Sequence, residues 1–237
     1  MKPIAIFQHA ASEGPGYLAD FLNARQLPWR LVRIDEGEAV PEEASLFSGL
    51  VFMGGPMSVN DELLWIPSAL SLIRQAVENR IPVLGHCLGG QLMSKALGGQ
   101  VTRNPVKEIG WGQVHAVNPV AHNWFGETKT FDVFQWHGET FSVPSGATLL
   151  LSSDYCVNQA FVFDGIHIGL QCHVEMTDGM IRTWCDVGAD EVAENLHSPA
   201  VQPSGEMLAA MGAKLPDLQQ RAEILYANWL KRVSGSL

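Results

Sequence analysis

The stretch whose reading decides the fold is IPVLGHCLGGQLMSKALGG, residues 81–99. Its first part, IPVLGH, is a short apolar run of the kind that forms a strand buried on both faces. Its second part repeats Leu88, Leu92 and Ala96 at every fourth position, a helical stripe, and Gly98 and Gly99 supply a stop. Cys87 stands at the junction, with Gly85 and Gly89 two positions away on either side. Small residues there let neighbouring backbone pack closely around a tight strand-to-helix turn, the nucleophile elbow usually written for serine as G-x-S-x-G. A cysteine so placed faces the unpaired N–H groups of a helix amino terminus, which favour thiolate over thiol. An isolated cysteine at such a junction is more often a small core residue, but the bracketing glycines and the strand-turn-helix context make Cys87 a candidate nucleophile.

Outward from this block the pattern alternates. PIAIFQ (3–8), WRLVRI (29–34) and GLVFMG (49–54) are further short apolar runs bounded by turn residues. Between them GYLADFLNAR places Tyr17, Leu18, Phe21 and Leu22 on one helical face, and PSALSLIRQAVENR does so with Leu70, Ile73 and Val77. This is the βαβ pattern of an open, doubly wound sheet. From about Gly110 the chain turns to the strand-like segments WGQVHAV, FDVFQW, ATLLLSS, QAFVFDG and HIGLQCH, which extend the sheet with some antiparallel strands. Beyond residue 177 it is helical again, in TDGMIRTWCDV and in PDLQQRAEILYANWLKRV, whose Leu218, Ala222, Leu225 and Trp229 form an apolar stripe. The expectation is an α/β fold with a mixed, mainly parallel central sheet and C-terminal helices, a single domain over residues 1–237.

With 46% apolar and 17% charged residues, the chain has the material for a large core and is not disordered. A formal net charge of −10 opposes binding to nucleic acid or to an anionic membrane surface. MKPIAIFQHA lacks the long apolar core of a signal peptide and no later run reaches membrane-spanning length, so a cytoplasmic protein is expected. Cys87, Cys156, Cys172 and Cys185 show no C-x-x-C pairing, as expected in a reducing compartment. A zinc site from Cys87, Cys172, His173 and Glu175 is a minor reading, because structural sites draw their ligands from close-spaced pairs. No metal and no cofactor is expected.

A cysteine nucleophile needs a base, and the base an orienting group. In LQCHVEMT, His173 and Glu175 are two residues apart at the end of a strand-like run, so both side chains share one face. Strands of a parallel sheet end at one edge, which brings this block to the elbow. FMGGPMSVND offers Gly54 and Gly55, whose backbone N–H groups can approach an oxyanion unhindered, and the N–H of Leu88 is the second donor.

Three blocks, FMGGPMSVND, GHCLGGQ and QCHVE, together with EIGW and QWHGETFSVPSGATLLLSSD between them, resemble the class I (triad) glutamine amidotransferases in order and spacing. The likeness covers residues 1–185 as the family core, with 186–237 as a C-terminal helical extension, and the chain is similar to the amidotransferase part of GMP synthase, as a stand-alone member. It implies a flavodoxin-like three-layer α/β/α fold and hydrolysis of the glutamine side-chain amide through a γ-glutamyl thioester. By position Cys87 matches the nucleophile, His173 the general base and acid, Glu175 its orienter, and Gly55 with Leu88 the oxyanion donors. Gly54, in the same glycine block, is expected to bind substrate, Gln91 matches a glutamine-contacting position, and His137 and Gly138 fall on a loop near the substrate backbone. The family's usual H-P-E reads H-V-E here, exchanging a fixed φ for a β-branched residue. No phosphate-binding loop is present. Glutamine or another γ-glutamyl small molecule is thus the expected ligand, with ammonia delivered to a separate synthase subunit, or else the chain is a stand-alone γ-glutamyl peptidase or a non-catalytic regulatory homologue.

Overall fold

The computed structural model describes residues 2–235. Four strands, β1 (Ile4–Gln8), β2 (Trp29–Arg33), β3 (Gly49–Phe52) and β4 (Val83–His86), alternate with α1 (Gly16–Ala24) and α2 (Trp65–Glu78), and α3 (Leu88–Ala96) follows β4 after Cys87 alone. Then come β5 (Val101–Ala116), a short α4 (His122–Phe125), β6 (Thr130–Phe141), β7 (Thr148–Ser152), β8 (Ala160–Phe163) and β9 (His167–Leu170). The chain closes with α5 (Asp178–Val187), α6 (Ala189–Asn195), β10 (Ala200–Val201) and α7 (Ser204–Val233). The sheet runs β10-β5-β7-β8-β9-β4-β3-β1-β2, with β6 paired to β5. From β2 to β9 the neighbours are parallel, and β8 and β7 attach antiparallel beyond them.

Two cores follow from the period of two along each buried strand. Ile4 and Ile6 of β1 face α1, α5 and α7, whereas Ala5 and Phe7 face α2 and α3. The result is the mixed α/β/α sandwich expected of a flavodoxin-like chain. Both neighbours of each central strand are strands, so the expected continuous apolar runs are buried throughout: β1, β3 and β4 have no exposed position.

Several boundaries differ from the pattern reading. The buried stripe of α2 runs through Ile66, Ala69, Leu72, Ile73 and Ala76, so of the three positions expected on its apolar face Ile73 lies at the centre and Leu70 and Val77 sit on the rim. WGQVHAV is the end of a sixteen-residue strand that begins at Val101, because the charged segment TRNPVKE pairs with β6 around a bulge between Arg103 and Glu108. The closing helix starts at Ser204 and carries Pro216 inside it. Its stripe of Leu218, Ala222, Leu225 and Trp229 is fully buried, as the spacing predicts. HIGLQCH leaves the sheet after Leu170, earlier than its sequence suggests.

β9 nevertheless delivers the His173 segment to the edge at which Cys87 stands. β4 and β9 are parallel neighbours with Gly85 opposite Gly169 and His86 opposite Leu170, so both chains emerge from the sheet side by side. Cys87 N–H donates to Leu170 O at 2.9 Å. Among the described residues no helix is long and apolar enough to cross a membrane, and all four cysteines are unpaired and buried.

Candidate active site

Cys87 adopts φ 49° and ψ −106°, a region that residues with a Cβ rarely occupy. It caps α3, and the glycines around it are there because backbone fills the space a side chain would need. A Cβ on Gly89 would collide with the Phe52 carbonyl, one on Gly85 with the Gly89 backbone, and one on Gly90 with Leu170 O. None of these obstacles is a flexible side-chain tip. Gly89→Ala is therefore expected to cost about 3 kcal/mol or more, or to prevent folding, as overpacking against a fixed backbone does; a thermal melt close to wild type would refute this.

Past β9 the chain stays extended through an isolated bridge, in which His173 N–H donates to Phe134 O at 2.8 Å and Phe134 N–H donates to His173 O at 3.2 Å. Val174 is buried between His173 and Glu175. The bridge and this packing hold the geometry that a proline would set by its ring. His173 Nδ1–H donates to Glu175 Oε1 at 2.6 Å, and Glu175 Oε2 lies 3.0 Å from His86 Nδ1. All three side chains are at most 1% exposed. His86 belongs to the opening stretch yet carries no signal in its spacing; its role emerges only because β4 and β9 are adjacent. Its Nε2 lies 3.5 Å from Tyr226 Oη of α7, and Tyr17 N–H of α1 donates to Glu175 O at 2.8 Å.

Burial pulls the His173 imidazole down, but Glu175 and Cys87 outweigh it and leave its pKa well above the usual histidine value. Burial pushes Glu175 up, and His86 and His173 outweigh that in turn, holding the carboxylate well below its ordinary range. The pair is thus an imidazolium and a carboxylate. His173 Nε2 is buried with no hydrogen bond of ordinary geometry among the described residues, and Cys87 is the group that couples to it. The edge of Trp184 packs on the ring, with centroids 4.7 Å apart and planes at 87°.

A cavity of about 430 Å³ opens beside Cys87, lined also by Gly55, Gln91, His137 and Gly138. The N–H groups of Gly55 and Leu88 have no acceptor among the described residues, and a Cβ on Gly55 would stand 2.8 Å from Leu88 Cδ2. His9, buried and pushed down to about 4 chiefly by that burial, donates from Nδ1 to Met53 O at 3.0 Å and steadies the strand end that leads into Gly54 and Gly55. Gln91 Nε2 donates to Gln171 Oε1 at 3.3 Å, and Gln171 Nε2 lies 3.5 Å from Cys87 Sγ.

Gly54, expected to touch substrate, is not part of the cavity wall; the carboxylate of Glu13 covers it instead. The His137 imidazole turns away toward Glu108, with Nε2 3.0 Å from Oε2, so its place in the wall is shared with a buried polar network. The metal reading also changes. Cys87, Cys172, His173 and Glu175 do not converge on one point; among the described residues the cluster of possible ligand atoms is Glu108, His137 and Cys156. Glu108 there already accepts from Ser153 Oγ and Gln159 Nε2, at 3.1 and 3.0 Å. Glu13, His86, Trp136, Gln171 and Trp184 were not singled out from sequence.

The family model for glutamine amidotransferase class-I matches residues 17–183. The chain belongs to the class I glutamine amidotransferases. It is 31% identical over 212 residues to the glutamine amidotransferase-like protein YfeJ of Salmonella typhimurium, covering 85% of this chain and 87% of that one. It is 33% identical over 130 residues to a GMP synthase [glutamine-hydrolyzing] of Lactobacillus johnsonii, spanning 54% of this chain and only 24% of the synthase. The crystal structure of a glutamine amido transferase from Methylobacillus flagellatus matches with a TM-score of 0.96 and 46% identity over 98% of this chain and 95% of that one. Family membership thus agrees with the fold and with a cysteine-dependent amidotransferase chemistry.

Proposed function

We propose that this chain hydrolyses the side-chain amide of glutamine to glutamate and ammonia through a γ-glutamyl thioester on Cys87. The observation that carries the reading is the strained Cys87 at a helix amino terminus beside a cavity, coupled to an imidazolium at His173 that Glu175 orients. In the first half-reaction the Cys87 thiolate adds to the amide carbon, and the N–H groups of Gly55 and Leu88 hold the oxyanion. His173 gives its Nε2 proton to the departing nitrogen, the C–N bond breaks and ammonia leaves. Neutral His173 then takes a proton from water, the hydroxide adds to the thioester, and the C–S bond breaks to release glutamate. Gln91 and the His137–Gly138 segment, which line the cavity, position the glutamyl end.

A separate ammonia-accepting synthase subunit in the cytoplasm is the partner this reading implies, and we read residues 1–237 as one catalytic domain. Cleavage of larger γ-glutamyl compounds on the same machinery is the second reading, favoured by a cavity of about 430 Å³. The test is release of ammonia and glutamate from glutamine, beside release from γ-glutamyl peptides, together with labelling by a glutamine analogue carrying an electrophilic side chain. Cys87 is expected to be modified before Cys156, Cys172 and Cys185. Burial raises those three thiols, Cys156 to about 11. Absence of turnover on every γ-glutamyl substrate, with candidate partner subunits added, would overturn the proposal.

A further inference from the structure

One carboxylate in the cavity is uncommitted. Glu191 is paired with Lys107 and accepts from Trp136 Nε1 at 2.8 Å. Glu139 accepts from Ser58 Oγ at 2.8 Å. Glu13 lines the same space, and among the described residues its side chain makes neither a hydrogen bond nor an ion pair. A Cβ on Gly54 would collide with Glu13 Oε2 and would lie 3.2 Å from His173 Cε1, so the carboxylate sits beside the imidazole edge. The loop carrying it is tied down by Glu13 N–H donating to Ala10 O at 3.0 Å and by Trp184 Nε1–H donating to Ser12 O at 2.7 Å.

The side of the cavity matters. In the mechanism proposed above His173 hands its proton to the departing nitrogen, so the leaving group lies against His173 and the glutamyl end is left to Gln91 and Gly138 of the cavity wall. Glu13 is on the leaving-group side. The cavity wall also holds Trp184, Val187 and Met57, apolar surface suited to an alkyl stem. A free volume of about 430 Å³ falls within the roughly 300–1,000 Å³ typical of sites for ligands larger than an amino acid.

We propose that Glu13 is a specificity residue for the leaving group and selects γ-glutamyl amides whose departing amine carries a second, cationic amino group on an alkyl stem. This rests on the hydrolase reading above. The reaction is the same balanced one: the C–N bond breaks, the amine leaves as a diamine with the His173 proton on its nitrogen, and water completes glutamate. An ammonium brought to Glu13 meets a carboxyl group that makes no hydrogen bond or ion pair among the described residues, the opposite charge acting on it being the His173 imidazolium, which becomes neutral when it gives up its proton. Burial has raised Glu13 to about 7, with Glu175 and Glu191 adding to the rise and His173 opposing it, and a bound cation offsets that cost. A charge-assisted contact in such a site is worth about ten- to a hundredfold in specificity.

The experiment compares kcat/KM of the full chain on γ-glutamyl amides of diaminobutane, butylamine and aminobutyrate, which present cationic, neutral and anionic ends on similar stems. The wild type is expected to prefer the cationic amide by about ten- to a hundredfold over the neutral one, with the anionic amide poorest. In Glu13→Gln the cationic-to-neutral ratio should fall to near one, and in Glu13→Asp, with its shorter reach, it should fall part of the way. A merely structural role would slow all three amides together and leave the ratio unmoved. A wild type without cationic preference, or a preference that survives in Glu13→Gln, overturns the inference while leaving the hydrolase reading intact. Should Glu13→Gln fail to fold, the wild-type order and the Glu13→Asp ratio decide. If no amide and no glutamine is cleaved, the hydrolase reading falls and the inference with it.

Discussion

Replacing Cys87 with alanine is expected to lower glutamine hydrolysis by about 10⁴-fold or more, leaving whatever orientation and oxyanion stabilisation contribute without a nucleophile. The same substitution should leave stability nearly unchanged, because cysteine and alanine both carry a Cβ and both bear the strain of φ 49°. Glycine does not. Cys87→Gly is expected to be equally inactive and more stable than Cys87→Ala by about 1 kcal/mol, since the strain disappears even after the larger entropy loss of glycine. Ammonia release measures the first effect and urea unfolding midpoints the second. An alanine variant that keeps more than a hundredth of the wild-type rate would remove Cys87 from the chemistry, whatever its backbone shows.

The glycines around Cys87 were legible because their cause is local: backbone packs where a Cβ would stand, and a short apolar strand must meet a helix there. The alternation of strands and helices was legible for the same reason, since a buried parallel strand has no polar face to show. What stayed hidden depends on neighbours far apart in sequence. His86 looks like any polar residue at a strand end until β9 brings Glu175 to within 3.0 Å of it. Glu13 sits in a loop whose composition, ASEGPG, reads as an ordinary turn, and only the Gly54 α-carbon beneath it shows that its carboxylate has been directed to His173. The stripe of α2 was misplaced because Leu70 and Val77 are apolar at helical spacing yet lie at the edge of the contact, where partial burial is cheap. The charged start of β5 defeated the apolar-run criterion because the bulge between Arg103 and Glu108 frees it from strict alternation. The closing helix likewise begins before Pro216; that proline marks a helix start in sequence but sits inside the helix in the fold.

Glu175→Gln tests the link between the fold and the chemistry most severely. The substitution keeps shape and removes charge, so hydrolysis should fall by about 10²- to 10⁴-fold, as when a triad carboxylate is neutralised. It also strips the partner from a buried imidazolium, a change worth about 3–5 kcal/mol. The pH dependence has a definite form. Glu175 is depressed in the folded state, so its contribution is present above the unfolded value of 4.5 and lost as pH falls through the folded value. His173 is raised, so its contribution is complete below the unfolded value of 6.5 and is lost as pH rises through the folded one. The difference in unfolding free energy between wild type and Glu175→Gln should therefore be largest between pH 4.5 and 6.5 and shrink on both sides. A difference that does not vary with pH would mean that Glu175 acts through packing alone. Because Glu175 also meets His86, which in turn meets Tyr226 of α7, the C-terminal helix stands behind the orienting carboxylate. A Tyr226→Phe variant should therefore disturb activity far less than Glu175→Gln, since it leaves the two charges and their 2.6 Å contact in place.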